Sequence, residues 1–462
     1  MKSLLQLKII IFLIIYLFFP VLSLAQNISS LEDCINIALK NNNQYRNSQN
    51  REKIAGSQVL ATYSRFLPQV SFGFGGSQQH LGSLTRYYNT AVYKYDENGK
   101  PVTDESGRPI VERYVKTLNE TEPQIRNNFD IGMSVSQLIF DGGQWWNNLR
   151  KQNSNKNART FETEAMRLGI INTVKRSYYE LLKAQNQLIV LEDAVELAEE
   201  QLRNSKTRFE VGFVAEIDVL RAQVNLNNQR IQLFTQQNEV EIARINLNTV
   251  IGLEPNNPLI ILEDSTIDKT TISIEEALIR AERNNPYIKM AQEDIDKNIY
   301  SHRAAKGTLL PTISANLSYS RSNPDIQLIY RNFNRNYSWS YNFDFSLPIF
   351  NGFKTKSDIQ LESLNLKIAE EDLINIKRTV LSNVQQYHIR LINNLDKIKM
   401  LQENLLVAEE NVRLAQERYR VGSGTLLETI DAQVSYTQSR IDLIRAIYDA
   451  KIAQAQLEGE LG

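Results

Sequence analysis

Hydrophobic residues recur every three or four positions along two long stretches of this sequence. One stretch lies between Pro123 and Pro255, the other follows Pro348, and neither contains a proline. Because an interior proline costs a helix about 3 kcal/mol, these stretches are where long helices can form. Each contains a seam of mainly apolar residues spaced alternately by three and four, which is typical of a coiled coil. The seam residues are Leu181, Ala184, Leu188, Leu191, Val195, Ala198 and Leu202, then Leu391, Asn394, Ile398, Leu401, Leu405, Ala408 and Val412.

A Val-Gly pair interrupts each helical stretch once. Val211-Gly212 lies in "RFEVGF" and Val421-Gly422 lies in "RYRVGS". Glycine reaches positive φ without steric cost, so the chain can end a helix there and reverse. The pattern therefore predicts two helical hairpins, 144–251 with its tip at Gly212 and 354–460 with its tip at Gly422.

Between the helices the hydrophobic period changes from about 3.6 to two. Such segments lie at about 69–77, 128–140, 312–321 and 337–349, and "YSWSYNFDFSL" is the clearest of them. Alternating runs of about ten residues are typical of outer-membrane barrel strands, although a soluble sandwich strand with one wet face has the same pattern. Four strands cannot close a barrel, and an open edge in a bilayer leaves backbone groups unsatisfied. If these strands span a membrane, several chains must share one barrel.

The chain contains two copies of one unit. "SLEDCINIALKNN" from Ser30 matches "SIEEALIRAERNN" from Ser273 at an offset of 243, and "IFDGG" from Ile139 matches "IFNGF" from Ile349 at an offset of 210. Since 243 − 210 = 33, the first copy has 33 extra residues between Pro68 and Phe140. We expect a first repeat over 26–252, a linker over 253–272 and a second repeat over 273–462.

The N-terminal segment resembles a secretory signal peptide. Lys2 and Lys8 precede an apolar run, and Ser23-Leu24-Ala25 supplies small residues before a predicted cleavage site. We therefore assign residues 1–25 to a signal peptide, with a retained membrane anchor as the alternative. No later segment has the roughly 20 apolar residues that a transmembrane helix requires, so an exported protein without one is expected.

Composition excludes several classes of chemistry. The formal net charge of −1 gives no electrostatic reason to expect nucleic acid as a partner. The single cysteine, Cys34, rules out an internal disulfide and is interpreted as a small buried residue. His80, His302 and His388 show no metal-ligand spacing, so we predict neither a metal nor a cofactor, and the sequence shows no nucleophile–base motif.

These features together resemble the outer membrane efflux protein family. The resemblance rests on the duplicated helix–strand–helix plan, the Leu-Pro before each first strand, "IFDGG" and "PIFNGF" after each second strand, and the paired Val-Gly turns. It implies an α+β membrane protein, a homotrimer whose twelve strands, four per chain, form one β-barrel. A coiled-coil α-helical barrel with an equatorial region would continue it.

The same resemblance implies a function without catalysis. The chain would be the exit duct of a tripartite efflux or type I secretion system, in the outer membrane of a Gram-negative bacterium and extending into the periplasm. It would conduct substrate passively from an inner-membrane pump, with a periplasmic adaptor and outer-membrane lipid as further partners. The alternative is an exported structural coiled coil or adhesin that conducts nothing.

The resemblance also assigns residues at the two turns. The tips that dock the adaptor would be Val211, Gly212, Phe213, Val421, Gly422 and Ser423. The pore constriction would include Asp431 and Glu428, while Asp218 and Tyr419 occupy positions that link neighbouring hairpins in the closed state. Gly424 replaces an arginine that helps to lock the closed tip in the family, so this lock is either weaker or built differently.

Several of these residues have a second interpretation. Glu428 can form a helix-capping box with Thr425, which is compatible with lining a pore. Asp218 can simply be solvated, whereas Asp431 has no capping role. Trp145 and Trp146 suit either an aromatic girdle at the membrane boundary or packing between helix ends. The extra loop at about 80–126 is either a surface hairpin at the mouth or a variable loop without function.

Overall fold

A computed structural model describes residues 28–262, 272–331 and 334–462. The predicted signal peptide, and residues 263–271 of the predicted linker, lie outside the described residues. The helices and strands follow the order β1 (Ile28–Ser29), α1 (Leu31–Asn41), α2 (Asn43–Ser64), β2 (Gln69–Leu81), β3 (Leu84–Tyr93), β4 (Val111–Thr121), β5 (Gln124–Asp141), α3 (Gln144–Glu210), α4 (Glu216–Ile251), β6 (Ile260–Ile261), α5 (Ile274–Asn284), α6 (Pro286–Gly307), β7 (Thr312–Asn323), α7 (Ile326–Ile329), β8 (Tyr337–Ser346), α8 (Lys354–Arg420) and α9 (Leu426–Leu461).

The chain forms two compact units, and both repeats contribute to each. The helical unit contains the described residues within Met1–Ser57, Lys151–Ile299 and Leu364–Gly462. The sheet unit contains Gln58–Arg150 and Tyr300–Ser363.

The helical unit has two equivalent hydrophobic cores, one for each repeat. In the first core, α1 contributes Cys34 and Ala38, and in the second core α5 contributes Ala277 and Ala281 at the same offset of 243. Burial raises the pKa of the Cys34 thiol to about 11, which keeps it protonated and unreactive. Larger side chains from the long helices complete the cores: Tyr178, Leu181, Leu247 and Ile251 in the first, and Val384, Leu391, Leu457 and Leu461 in the second.

The return helices end on matching glycines. Gly252 has φ 76° and a Cβ atom there would lie 2.8 Å from Cβ of Asn41. Gly462 has φ 84° and a Cβ atom there would lie 2.8 Å from the carbonyl oxygen of Asn284, which is the repeat equivalent of Asn41. Both positions combine left-handed backbone with a close neighbour, so each is restricted to glycine.

The sheet unit is built on one antiparallel sheet in the order β2-β5-β7-β8. Cross-strand partners Val70, Val135, Leu317 and Tyr341 lie in one row across it. That face is apolar, because each strand alternates and the register keeps the apolar residues together. The opposite face carries small polar residues, including hydroxyl pairs Ser71–Ser134 and Ser318–Ser340, each with 2.7 Å between oxygens.

The junction from β5 to α3 is closely packed. The Trp145 ring stacks on Phe66 with 4.3 Å between ring centroids, and its Nε1 donates to the carbonyl oxygen of Thr62 at 2.8 Å. Asp141 accepts a hydrogen bond from the Trp145 backbone amide at 2.8 Å and so caps the start of α3. Trp145 therefore packs between helix ends, whereas Trp146 is exposed, as a girdle residue would be.

The extra loop is an ordered hairpin. Its strands, β3 and β4, form a separate two-stranded sheet whose register pairs Tyr88 with Thr117. Beyond them come two consecutive turns with the same geometry. In each turn an aspartate, Asp96 or Asp104, accepts two backbone hydrogen bonds of 2.8 to 2.9 Å, and the glycine three positions later has positive φ. The two turns lie in the nearly repeated sequences "DENGKPV" and "DESGRPI", which thus fold as structural duplicates.

Candidate functional site

The two Val-Gly turns have the same backbone structure. In the first turn Phe213 N donates to Arg208 O at 2.8 Å, and Gly212 N donates to Phe209 O at 2.9 Å. In the second turn the equivalent bonds are Ser423 N to Arg418 O at 2.9 Å and Gly422 N to Tyr419 O at 3.2 Å. This pair of bonds defines a Schellman motif, which requires a left-handed residue; Gly212 has φ 75° and Gly422 has φ 79°.

Both tips present apolar side chains to solvent. Phe213 is 83% exposed, and Val211 and Val421 are also mostly exposed. Exposed apolar side chains at the end of a long hairpin have no packing role within this chain. Residues of this kind at a rim are typical of protein contact surfaces.

Apolar packing joins the two tips. Leu426, the first residue of α9, is 1% exposed and belongs to a cluster that includes residues of the first hairpin. Tyr419 and Ile430 pack against the same cluster. The second hairpin is therefore anchored to the first beside its turn. The first-hairpin members are Ala198, Leu202, Ala222 and Leu226.

Glu428 forms the predicted capping box. Its backbone amide donates to Thr425 Oγ1 at 3.2 Å, while its carboxylate accepts from the Thr425 amide at 3.3 Å. Its carboxylate also lies 3.9 Å from the Arg418 guanidinium. The first repeat has Ala215 at the capping position, with no side-chain cap. Glu428 therefore has a structural role in the turn, to which any role in the pore would be added.

Asp431 and Asp218 differ in their surroundings. The Asp431 side chain is exposed, and its carboxylate makes no hydrogen bond or ion pair within the described parts of the chain. Asp218 is partly buried and lies 3.9 Å from the Arg221 guanidinium in the next turn of α4. Asp431 is thus the acidic residue of the pair that is available to an aperture.

Tyr419 is held by an arginine that the sequence did not single out. The Arg208 guanidinium lies over the Tyr419 ring, 4.8 Å from its centroid, and Arg208 Nη1 donates to the Tyr419 carbonyl oxygen at 3.3 Å. The Tyr419 hydroxyl is buried and has no hydrogen-bond partner in the described structure, so it does not contact Asp218 within one chain. Arg208 and Tyr419 also line a cavity of about 610 Å³ between the two hairpins.

Gly424 occupies a crowded position. Its amide donates to Arg418 O at 3.0 Å, and an added Cβ would lie 3.0 Å from Arg418 Cβ and 3.2 Å from Tyr419 N. A long side chain does not fit this turn without displacing its neighbours. The expected difference in the lock at Gly424 stays a prediction.

Two pairs of equivalent positions beside the turns carry opposite charges. Glu210 in the first repeat corresponds to Arg420 in the second, and Arg221 corresponds to Asp431, at the offset of 210. All four residues lie within about three helical turns of a tip glycine. The two copies have thus kept one backbone while their electrostatics have diverged.

Two further observations concern chemistry and membranes. In the described ranges no three His, Cys, Asp or Glu residues are grouped as a metal site would require. None of the helices in the described part of the chain is both long and apolar enough to cross a membrane.

Two long helical hairpins, one from each repeat, and one two-faced sheet to which each repeat gives two strands define the class of duplicated outer-membrane channel proteins. The sequence profile of the outer membrane efflux protein family matches residues 34–253 and 277–462. The chain belongs to that family.

Similar proteins agree with this assignment. The outer membrane protein TolC of Escherichia coli (strain K12) is 24% identical over 387 residues, covering 81% of this chain and 77% of TolC. The Campylobacter jejuni CmeC outer membrane channel superposes with a TM-score of 0.76 at 19% identity, covering 94% of this chain and 85% of CmeC. A membrane protein from Pseudomonas aeruginosa has a TM-score of 0.76 at 17% identity, covering 94% of this chain and 93% of that protein.

These comparisons test the main predictions made from the sequence. The family, the duplicated α+β fold class and the outer-membrane location are confirmed, as is an efflux or secretion channel function. The alternative of an exported coiled coil or adhesin has no support. The family is one of channel proteins rather than enzymes.

Proposed function

We propose that three copies of this chain form one continuous exit duct through the outer membrane, and that the duct closes at the two helical turns. The observation that carries the proposal is the sheet of the sheet unit. One face is apolar and the other is lined with small polar residues, while β2 and β8 are edge strands. An open edge is not tolerated in lipid, so the sheet needs a partner.

The helical unit supports the same assembly. Besides the seam buried within the chain, α4 exposes a second apolar stripe that includes Leu220, Val224 and Phe234. Helix α8 exposes another, with Ile389, Met400 and Val407 spaced by eleven and then seven residues. Exposed stripes of this length on neighbouring copies would complete a second set of coiled-coil contacts. Three copies sharing these stripes give a closed ring of helices.

The tips are proposed as the contact surface for a periplasmic adaptor. Val211, Phe213 and Val421 provide the exposed apolar side chains, and the glycines set the shape of the turns. The adaptor in turn would recruit the inner-membrane pump that supplies energy. The chain itself catalyses no reaction in this proposal, and it provides a sealed path.

Gating is proposed to reside beside the same turns. In a trimer Asp431 contributes three carboxylates, which face the aperture when the tips converge. Like charges around a narrow opening favour cations over anions. Glu428 adds three more charges near the same height while it caps α9. Asp218 and Tyr419 would form contacts between hairpins when the ring closes.

The oligomeric state of the protein in detergent extracts tests the proposed assembly. Outer-membrane detergent extracts should contain a trimer that resists heating in dodecyl sulfate, as closed barrels do. A water-soluble periplasmic monomer would overturn the proposal.

Adaptor docking is tested separately by photocrosslinking in cells. A photoreactive phenylalanine analogue at position 213 should capture a periplasmic adaptor protein. The same analogue at position 88, on the β3–β4 hairpin, is the matched control and should capture none. Equal capture at both positions would contradict docking at the tips.

A further inference from the structure

The connection between β7 and β8, residues 324–336, folds back over the apolar face of the sheet. Cross-strand partners Phe74, Ile131, Arg321 and Tyr337 form one row near the end of that face. Tyr330, within the connection, stacks on Phe74 with 6.3 Å between ring centroids. Helix α7, also within the connection, packs against β5 and β7. The connection therefore covers one end of the apolar face.

Arg321 holds the connection in place. Its side chain belongs to the row of the apolar face, yet the residue is only 3% exposed. Its Nη2 donates to the carbonyl oxygens of Leu328 at 3.0 Å and Arg331 at 2.8 Å. Burying a charge is costly unless it is hydrogen-bonded, so these carbonyl groups stabilise the folded-back position. Ile329, the last residue of α7, is buried as well.

The covered row lies at one boundary of the apolar band. The apolar side chains of β8 run from Tyr337 to Phe345, which is about 27 Å at 3.4 Å per residue. Outer-membrane barrels have an apolar band about 25 Å tall with aromatic girdles at both boundaries. Helices α3 and α8 begin at the opposite end of the sheet. In the proposed duct, the connection thus lies at the boundary with the outer leaflet.

The outward surface of the connection combines apolar side chains with cations. Ile326, Leu328 and Tyr330 are between 41% and 55% exposed. Arg331 and Arg335 have exposed side chains, and neither guanidinium makes a hydrogen bond or ion pair within the described parts of the chain. Both cations are therefore available to a ligand beside an apolar surface.

The charge of this segment is not balanced by acids. Residues 321–337 contain three arginines and one acid, Asp325. The Asp325 carboxylate accepts a hydrogen bond from the Gln327 amide at 2.8 Å and caps α7. Exposed apolar groups beside cations at a membrane boundary fit a lipid that has acyl chains and an anionic head group. In the outer leaflet of a Gram-negative outer membrane, lipopolysaccharide has this chemistry, with phosphates on its lipid A.

We propose that the β7–β8 connection is a docking site for lipopolysaccharide. Ile326, Leu328 and Tyr330 contact its acyl chains. Arg331 and Arg335 bind the phosphates of its lipid A. This inference rests on the proposed duct, which sets the orientation of the sheet, and it adds a lipid partner at one site per copy.

Native mass spectrometry of the detergent-extracted trimer with added bisphosphorylated lipid A tests the site. The unchanged protein should bind up to three lipid A molecules per trimer. Combining Arg331→Ser with Arg335→Ser should weaken binding about tenfold or more, because each cation near an anionic lipid adds a several-fold factor. The Arg331 carbonyl is retained, so Arg321 keeps its acceptor. Lipid A without phosphates should bind the unchanged protein about tenfold more weakly, and this comparison needs no variant.

The matched control combines Lys100→Ser with Arg108→Ser. It removes the same charge from the two turns beyond β3 and β4, where only the backbone amides of these residues bind Asp96 and Asp104. Binding of lipid A to this control should equal that of the unchanged protein. An equal loss in the control would show an effect of net charge, which would overturn the site.

Other results would also contradict the proposal. Equal affinity for phosphatidylglycerol would show a general attraction of anionic lipids and overturn the choice of lipopolysaccharide. Equal affinity for lipid A with and without phosphates would exclude the arginine contacts. A heat-resistant trimer that binds no lipid A would overturn this inference and leave the duct intact. A monomeric extract would show instead that the proposed duct itself is wrong.

Discussion

The guanidinium of Arg208 in the first hairpin lies 4.8 Å from the ring centre of Tyr419 in the second, and it also donates to the Tyr419 carbonyl. One side chain thus joins the ends of two helices that are 211 residues apart in sequence. The equivalent residue, Arg418, instead donates to Ser423 O within its own turn. Variants of Arg208 and Arg418 can therefore be compared to separate a contact between hairpins from a contact within one turn.

Arg208→Ala should loosen the closed tip. A cation–π contact at a partly exposed site contributes about 1 kcal/mol, which corresponds to roughly a fivefold increase in the ratio of open to closed channels. Single-channel recordings in planar bilayers measure this ratio directly. The ratio of open to closed channels in Arg208→Lys should lie between that of the unchanged protein and that of Arg208→Ala. Lysine keeps the positive charge but lacks the planar guanidinium group. Arg418→Ala is the control, and an equal increase there would show that cross-hairpin contact is not responsible.

Charge at the aperture should set ion selectivity. Asp431→Ala should reduce the preference for cations in reversal-potential measurements and weaken block by multivalent cations. Arg221→Ala, at the equivalent position of the first repeat, should act in the opposite direction. Glu428→Gln keeps the acceptor of the capping box and removes the charge, which separates its two roles. Unchanged selectivity in Asp431→Ala would exclude the acidic aperture.

Glu460 should make the helical unit less stable as pH rises. Burial raises the pKa of this carboxyl above its ordinary value of 4.5, against hydrogen bonds donated by the Asn383 and Asn285 amides. The folded chain therefore binds this proton more tightly than the unfolded chain. Its stabilising effect is complete below pH 4.5 and is lost as pH rises through the raised pKa.

Glu460→Gln should remove this part of the pH dependence and stabilise the fold at neutral pH. Urea unfolding followed by circular dichroism between pH 4.5 and 7 gives the measurement. Glu409→Gln, at an exposed site, is the matched control. A Glu460→Gln variant with an unaltered pH profile would show that burial of this carboxyl has no thermodynamic effect.

Gly459 should be needed where α9 passes close to α3. A Cβ atom there would lie 1.7 Å from Nδ2 of Asn172, so Gly459→Ala forces the asparagine away and should cost about 1 to 3 kcal/mol in unfolding free energy. Adding Asn172→Ala should recover most of that loss. Gly169→Ala, in an open and exposed part of α3, should instead stabilise by about 1 kcal/mol. If Gly459→Ala and Asn172→Ala had additive effects on the unfolding free energy, a close contact between positions 459 and 172 would be ruled out.

The β3–β4 hairpin should be dispensable for assembly. Its strands pair only with each other among the described residues, and Leu81 lies opposite Gln124 where the hairpin begins. Replacing residues 82–123 by Asn-Gly closes β2 onto β5 with a two-residue turn. The heat-resistant trimer and the export of its substrate should persist. Loss of the trimer would assign the hairpin a structural role.

The sequence predicted those parts of the fold that depend on a local residue pattern present in both repeats. Val-Gly pairs located both turns, and the four alternating segments became the four strands of the main sheet. β3 and β4 were not predicted as strands, because adjacent aromatic residues such as Tyr87 and Tyr88 hide the period of two. The turns at Asp96 and Asp104, by contrast, depend only on hydrogen bonds between residues of the same turn.

Contacts between residues far apart in the sequence could not be predicted, because no local residue pattern indicates them. Arg208 belongs to an ordinary last helical turn, and only the fold brings it to Tyr419. The predicted strand at 337–349 ends at Ser346 in the structure, because a strand end without a partner forms no ladder. The sequence pattern thus indicated which residues can form β8. Pairing with a neighbouring strand decides where β8 ends.

The inverted charges of Glu210 and Arg420, and of Arg221 and Asp431, explain what a duplicated chain gains over a shorter one. A half-length chain in a ring of six would repeat the same charge at every turn, so like charges would face each other all round. Two repeats in one chain can carry different residues at equivalent positions, as these do. In the proposed trimer the ring then alternates in sign at these two pairs of positions, a threefold pattern that no hexamer of identical halves could carry.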